Sequence, residues 1–180
     1  MDTEGKAEMA ANVVTRLIEQ EKVTALLGEV ASTRSLAAAP IAQKSKVPMI
    51  SPSSTNPKVT EERDYIFRTC FIDPFQGTVM AKFAIENLKL KNIAIFREVS
   101  SDYSVGLANF FSEKLKALGG EVVADLSYQN QDVDFKAQLT EIKSKNPDAI
   151  FIPGYYTQVG LIARQAREQG LKAILLGGDG

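Results

Sequence analysis

The stretch Met49-Ile-Ser-Pro-Ser-Ser-Thr-Asn-Pro57, MISPSSTNP, sets the frame for the whole chain. It packs three Ser, one Thr and two Pro into nine positions. Proline fixes φ and hydroxyl side chains compete with regular backbone hydrogen bonding, so this is a loop. The run before it, VPMIS, reads as a buried strand. A plain turn accounts for the prolines and one serine. The run Ser53-Ser54-Thr55 is a set of donors at the end of a strand, where open α/β sheets bind ligands.

Working outward, apolar residues alternate between two periodicities. Ala7, Ala10, Ala11, Val14, Leu17 and Ile18 recur at helical spacing. VTALLG reads as a short strand, Ser32 to Lys44 as a helix kinked at Pro40, and Tyr65 to Cys70 as a strand. Asp73 to Lys89 reads as a helix. KNIAIF, EVVADLS, DAIFIP and AILLGG read as further strands. Helices over Tyr103 to Leu118, Asp134 to Ser144 and Thr157 to Gln169 separate them, with Gly119-Gly120 and Gly170 as stops. Apolar strands alternating with amphipathic helices predict an α/β fold with parallel sheets covered on both faces.

Composition removes several function classes. Net charge is −1, from 21 basic and 22 acidic residues, so no basic field exists to hold nucleic acid. The chain has no histidine and one cysteine, which removes intrachain disulfides, Cys/His zinc sites and every mechanism with a His base. Cys70, in YIFRTCFID, reads as a buried small hydrophobe. No strand-to-helix loop carries GxGxxG or GxxxxGKS, so a bound nucleotide lacks its usual cradle. No cofactor or metal is expected. The opening MDTEGKAEMA is polar, so either the protein is cytoplasmic or its address has been removed.

The loops after the strands share a chemistry. They carry the hydroxyls of Ser32, Thr33, Ser53, Ser54 and Thr55, the phenols of Tyr103, Tyr155 and Tyr156, and the carboxylate of Asp179. Ser32 stands where a helix begins, so its hydroxyl can cap that helix and the free N–H groups there attract an anion. Donors on one side and a carboxylate on the other suit a zwitterion such as a free amino acid. Each loop also has a plain reading: Ser32 as a cap, Tyr155-Tyr156 as packing, GGDG as a turn. Their shared position after strands is what favours the ligand.

VTALLGEVASTRSLAAAPIAQKSKVPMISPSSTNPKVT resembles the leucine/isoleucine/valine-binding protein family, type I periplasmic solute-binding proteins of amino-acid ABC transporters. YIFRTCFIDPFQG, SSDYSVGLANFF, DFKAQLTEIKSKNPDAIFIPGYY and GLIARQAREQGLKAILLGGDG match it as well. The resemblance implies two parallel three-layer αβα lobes that close on a ligand, and no enzymatic activity. It implies a ligand carboxylate and ammonium held by the loops at Ala31-Ser32 and Ser53-Ser54-Thr55, tyrosines closing at Tyr103 and Tyr155, and the ammonium received by Asp179, where the branched-chain binders carry Glu. The implied partners are a small amino acid or related carboxylate and, for the intact periplasmic or extracytoplasmic protein, an ABC transporter permease. The family precedes DTEGK with a strand, a helix and a second strand, so the chain reads as a fragment. Residues 1–70 are then a partial first lobe lacking its leading strands, and 71–180 a nearly complete second lobe. Such a fragment is expected to self-associate as a homodimer. A ligand-sensing regulatory domain of the same fold is the alternative, followed by a doubly wound α/β enzyme.

Overall fold

Strand and helix alternate along the whole chain, as the change of apolar period requires. The computed structural model describes residues 1–180, and they divide into two units, Met1–Asp73 and Pro74–Gly180.

The first unit contains α1 (Ala7–Glu19), β1 (Leu26–Leu27), α2 (Ser32–Ser45), β2 (Met49–Ser51), a 3₁₀ turn at Pro57–Val59 and β3 (Ile66–Arg68). Its three strands are parallel in the order β1-β2-β3. β1 is shorter than VTALLG because it has one neighbour, and only Leu26 and Leu27 pair with β2. α2 runs unbroken through Pro40, which lies on its exposed side.

Strand register places Leu26, Met49 and Ile66 in one row across the sheet and Leu27, Ile50 and Phe67 in the next. Side chains alternate between faces, so these rows lie on opposite sides. The first row is buried with Val14, Ala38, Ala39 and Ala42 from α1 and α2. In the second row Leu27 is 87% exposed and Phe67 49%. The expected cover on both faces therefore fails for this sheet, because α1 and α2 pack on the same side.

α3 (Asp73–Lys82), all but its first residue in the second unit, runs into a single wider π turn at Phe83–Asn87. Then come β4 (Asn92–Glu98), α4 (Asp102–Ala117), β5 (Glu121–Tyr128), α5 (Lys136–Ser144), β6 (Ala149–Ile152), α6 (Tyr156–Glu168) and β7 (Ile174–Gly177). The strands are parallel in the order β5-β4-β6-β7. Ile93, Ile95, Ala149 and Phe151 bury against α3 and α4. Ala94, Phe96, Ile150 and Ile152 bury against α5 and α6. Every residue of β6 is buried, which is why its sequence shows no polar alternation. This unit is a three-layer αβα sandwich. The expected helix stops hold, since Gly119 and Gly170 both take the left-handed φ that glycine tolerates.

Strand order also locates the ligand end. The chain moves from β4 to β5 on one side and from β6 to β7 on the other, so the direction reverses between β4 and β6. The crevice at such a reversal, beyond the carboxyl ends of the strands, is the usual ligand position.

Two glycines test this packing. A Cβ at Gly77 of α3 would stand 2.8 Å from the backbone nitrogen of Phe111 on α4, whereas one at Gly160 of α6 would meet nothing within 4 Å. Helix propensity alone favours Ala at both sites by about 0.5–1 kcal/mol. Gly160→Ala should therefore stabilise the protein by about that amount. Gly77→Ala should destabilise it by about 1–3 kcal/mol, because backbone must move to admit the methyl group. Urea unfolding of both variants checks the opposite signs.

Candidate functional site

The predicted residues form two groups, one in each unit. In the first unit they sit on the loops after β1 and β2. Ser32 does not cap α2 as expected: the N-cap is Ala31, without a side-chain cap. The Ser32 hydroxyl instead accepts a hydrogen bond from the Asn56 backbone N–H at 3.1 Å, so it ties one loop to the other.

Ser51 and Ser54 are both buried, as is Ser35 of α2. All three hydroxyls converge on one carbonyl. Ser51 Oγ donates to the Glu29 oxygen at 2.6 Å, Ser35 Oγ lies 3.0 Å from it and Ser54 Oγ 3.1 Å. Ser54 Oγ also reaches the Val30 oxygen at 2.9 Å and Ser35 Oγ at 2.7 Å. The Ser54 N–H closes the loop onto Ser51 Oγ at 3.0 Å. The single proton of Ser54 is thus held inside the scaffold.

Thr55 differs. It is 1% exposed, and its Oγ1 is buried with no hydrogen-bond partner. An unsatisfied buried hydroxyl costs about 1–3 kcal/mol. Ser53 is half-buried.

Arg68, at the carboxyl end of β3, holds the back of this loop. Its Nη1 donates to the oxygens of Ser54 (2.6 Å) and Asn56 (2.9 Å), and its Nη2 to the oxygen of Pro57 (3.0 Å) and Oγ1 of Thr60 (2.7 Å). Burial lowers the Arg68 pKa, and the nearby Cys70 and Asp73 act in the opposite direction. Cys70 is half-buried rather than buried.

In the second unit Tyr103 opens α4 after β4, and Tyr155 precedes α6 after β6. They flank the reversal point, with ring centroids 5.4 Å apart. Tyr103 is buried, and its phenol accepts from the Gly180 N–H at 3.1 Å. Tyr155 is half-buried, and Tyr156 is exposed. The GGDG end lies close over this pair: a Cβ at Gly178 would come within 2.4 Å of the Tyr103 phenol. That contact needs glycine. Asp179 is exposed, and its Oδ1 accepts from Gln76 Nε2 at 2.8 Å.

Sequence reasoning missed Arg68, Ser35, Gln76 and Glu98. A lone Arg in the apolar run YIFRTC was the one available signal for Arg68. Glu98 ends β4 and is 5% exposed. Its backbone N–H donates to Ser104 Oγ, which donates in turn to the Pro153 oxygen, linking the ends of β4 and β6. Burial raises the Glu98 pKa, partly offset by the hydrogen bond from Ser100. Burial and then the Glu98 charge push the Tyr128 phenol above its ordinary value.

This is an α/β chain of the type I periplasmic-binding-protein fold. Residues 1–180 match the family described as periplasmic binding protein, and the chain belongs to it. An amino acid binding protein of Pseudomonas aeruginosa is 32% identical over 174 residues, 96% of this chain and 46% of that protein. The leucine binding protein LivK of Thermotoga maritima superposes with a TM-score of 0.96 at 52% identity, covering 98% of this chain and 50% of that one. LivJ of Streptococcus pneumoniae, a branched-chain amino acid transporter substrate binding protein in complex with isoleucine, superposes at 0.91 with 40% identity and the same coverage. The chain spans about half the length of the relatives it matches. These relatives are solute-binding proteins.

The buried carboxyl of Glu98 makes a pH prediction. Its pKa is raised in the folded state, so its protonated form favours folding. That contribution is full below the ordinary carboxyl range of about 4 and is lost as pH rises through the folded value. Glu98→Gln should therefore gain stability over the wild type at pH 7 and show a smaller gain at pH 4. Urea titrations at both values check this; an equal difference at the two pH values would contradict it.

Proposed function

We propose that the parent protein is an extracytoplasmic solute-binding protein, without enzymatic activity, that captures a small amino acid and delivers it to an ABC transporter permease. Residues 1–70 form part of its first lobe and residues 71–180 most of its second, with the ligand held between the lobes. The first supplies donors for the α-carboxylate from Ser32, Ser53 and Thr55, on a loop anchored by Ser54. The second supplies the aromatic walls Tyr103 and Tyr155 and the ammonium acceptor Asp179. The observation that carries this reading is the buried, unpartnered Thr55 Oγ1 in a loop whose Ser51 and Ser54 are spoken for. A ligand oxygen would satisfy it. Ser54 then contributes through the loop it anchors rather than through its own proton.

Calorimetry on the intact protein with amino acids and their amides tests the carboxylate trap. Acids should bind more tightly, and amides binding equally well would sink it. Asp179→Asn should weaken amino acids by about 2–5 kcal/mol, the range for breaking a desolvated charge pair. Ligands without an ammonium group should lose much less.

The 180-residue chain by itself should form a homodimer through its first unit. Leu27 and Phe67 lie on the open sheet face, and β1 is an edge strand with one partner. An apolar edge and face invite pairing with a second copy. Light scattering during size exclusion should show a dimer at tens of micromolar (order of magnitude) and a monomer for Leu27→Lys/Phe67→Lys. A monomeric wild type would refute the idea.

A further inference from the structure

We propose that Arg68 is the positioning residue of the carboxylate trap. Its guanidinium aims the Thr55 N–H at the ligand and places a positive charge behind it. This rests on the reading above.

The peptide between Ser54 and Thr55 is trans, since the one cis bond in the chain is elsewhere. In a planar trans peptide the C=O and the next N–H point in opposite directions. Arg68 Nη1 binds the Ser54 oxygen at 2.6 Å, so the Thr55 N–H points away from Arg68. The backbone groups that follow it in the loop are committed. The Thr55 oxygen accepts from the Asp73 N–H at 2.9 Å. The Asn56 N–H is on Ser32 Oγ, and the oxygens of Asn56 and Pro57 are on Arg68. Carbonyl oxygens would repel a carboxylate. Arg68 gathers three of them on its own side of the loop. It acts through the loop, because the four N–H groups on its two terminal nitrogens are occupied by those oxygens and by Thr60 Oγ1.

A lysine keeps the charge but cannot span four acceptors as a planar fork. A methionine keeps much of the length and loses both charge and fork. The intact protein is titrated with L-leucine and L-leucinamide, chosen as probes that differ in the carboxylate charge. Arg68→Met should weaken leucine at least about tenfold and leucinamide less than about twofold, since a remote cation acts on the charged group. Arg68→Lys should fall between wild type and Arg68→Met for leucine. Equal weakening of both probes in Arg68→Met would show that Arg68 only holds the loop together, leaving the carboxylate trap intact. If Arg68→Met fails to fold, Arg68→Lys decides: undiminished leucine affinity overturns the proposal. A wild type that binds leucinamide as tightly as leucine overturns the trap and the role of Arg68 with it.

Discussion

One carbonyl oxygen organises the donor-bearing loops of the first unit. The oxygen of Glu29 gathers hydroxyls from Ser35 on α2, Ser51 at the end of β2 and Ser54 in the following loop. Three segments are thereby locked to the turn after β1. The three serines are buried, and truncating Ser51 would also leave the Ser54 N–H without its acceptor, at a cost of about 1–3 kcal/mol. This explains the density of hydroxyls in MISPSSTNP. Ser51 and Ser54 build the frame, and the frame holds Thr55 in a buried position where its hydroxyl has nothing to bind.

The two units reach their geometry by different means. In the first, short strands and a small core leave the loops to be held by side-chain hydrogen bonds and by Arg68. In the second, rings and close glycine contacts dominate. Phe111 stacks on Phe151 at 4.0 Å, and Gly77 lets α3 approach the backbone of α4. Gly178 lets the chain end lie against Tyr103. Contacts of this kind tolerate no added methyl group without a shift.

Much of this was legible in the sequence. The strand and helix alternation followed from periodicity, with β4 visible as the apolar run KNIAIF and β6 as a run bounded by Pro147 and Pro153. The post-strand position of Ser32, Ser54, Tyr103, Tyr155 and Asp179 followed from that alternation. What could not be read is direction. A serine in a loop shows a donor but not its acceptor. Ser54 turned inward to a carbonyl more than twenty residues earlier, and Ser32 bonded across to Asn56 instead of capping its helix. The open face of the first sheet was hidden for a related reason. Leu27 and Phe67 have the composition of buried strand residues, and only the register shows that they share the uncovered side.

On the proposed reading, the division of charge has a consequence for binding. A direct Arg–carboxylate fork is strong and geometrically demanding, and removing both charges from water is costly. Hydroxyl and amide donors hold a carboxylate with less desolvation of the protein, because they carry no net charge. Arg68 then contributes its field from behind the loop while its own hydrogen bonds stay satisfied by carbonyls. A protein that must both capture and release a ligand gains from this arrangement. Selectivity for an anion then comes from fixed dipoles and a remote cation, and the carboxylate end of the ligand leaves without breaking an ion pair of its own.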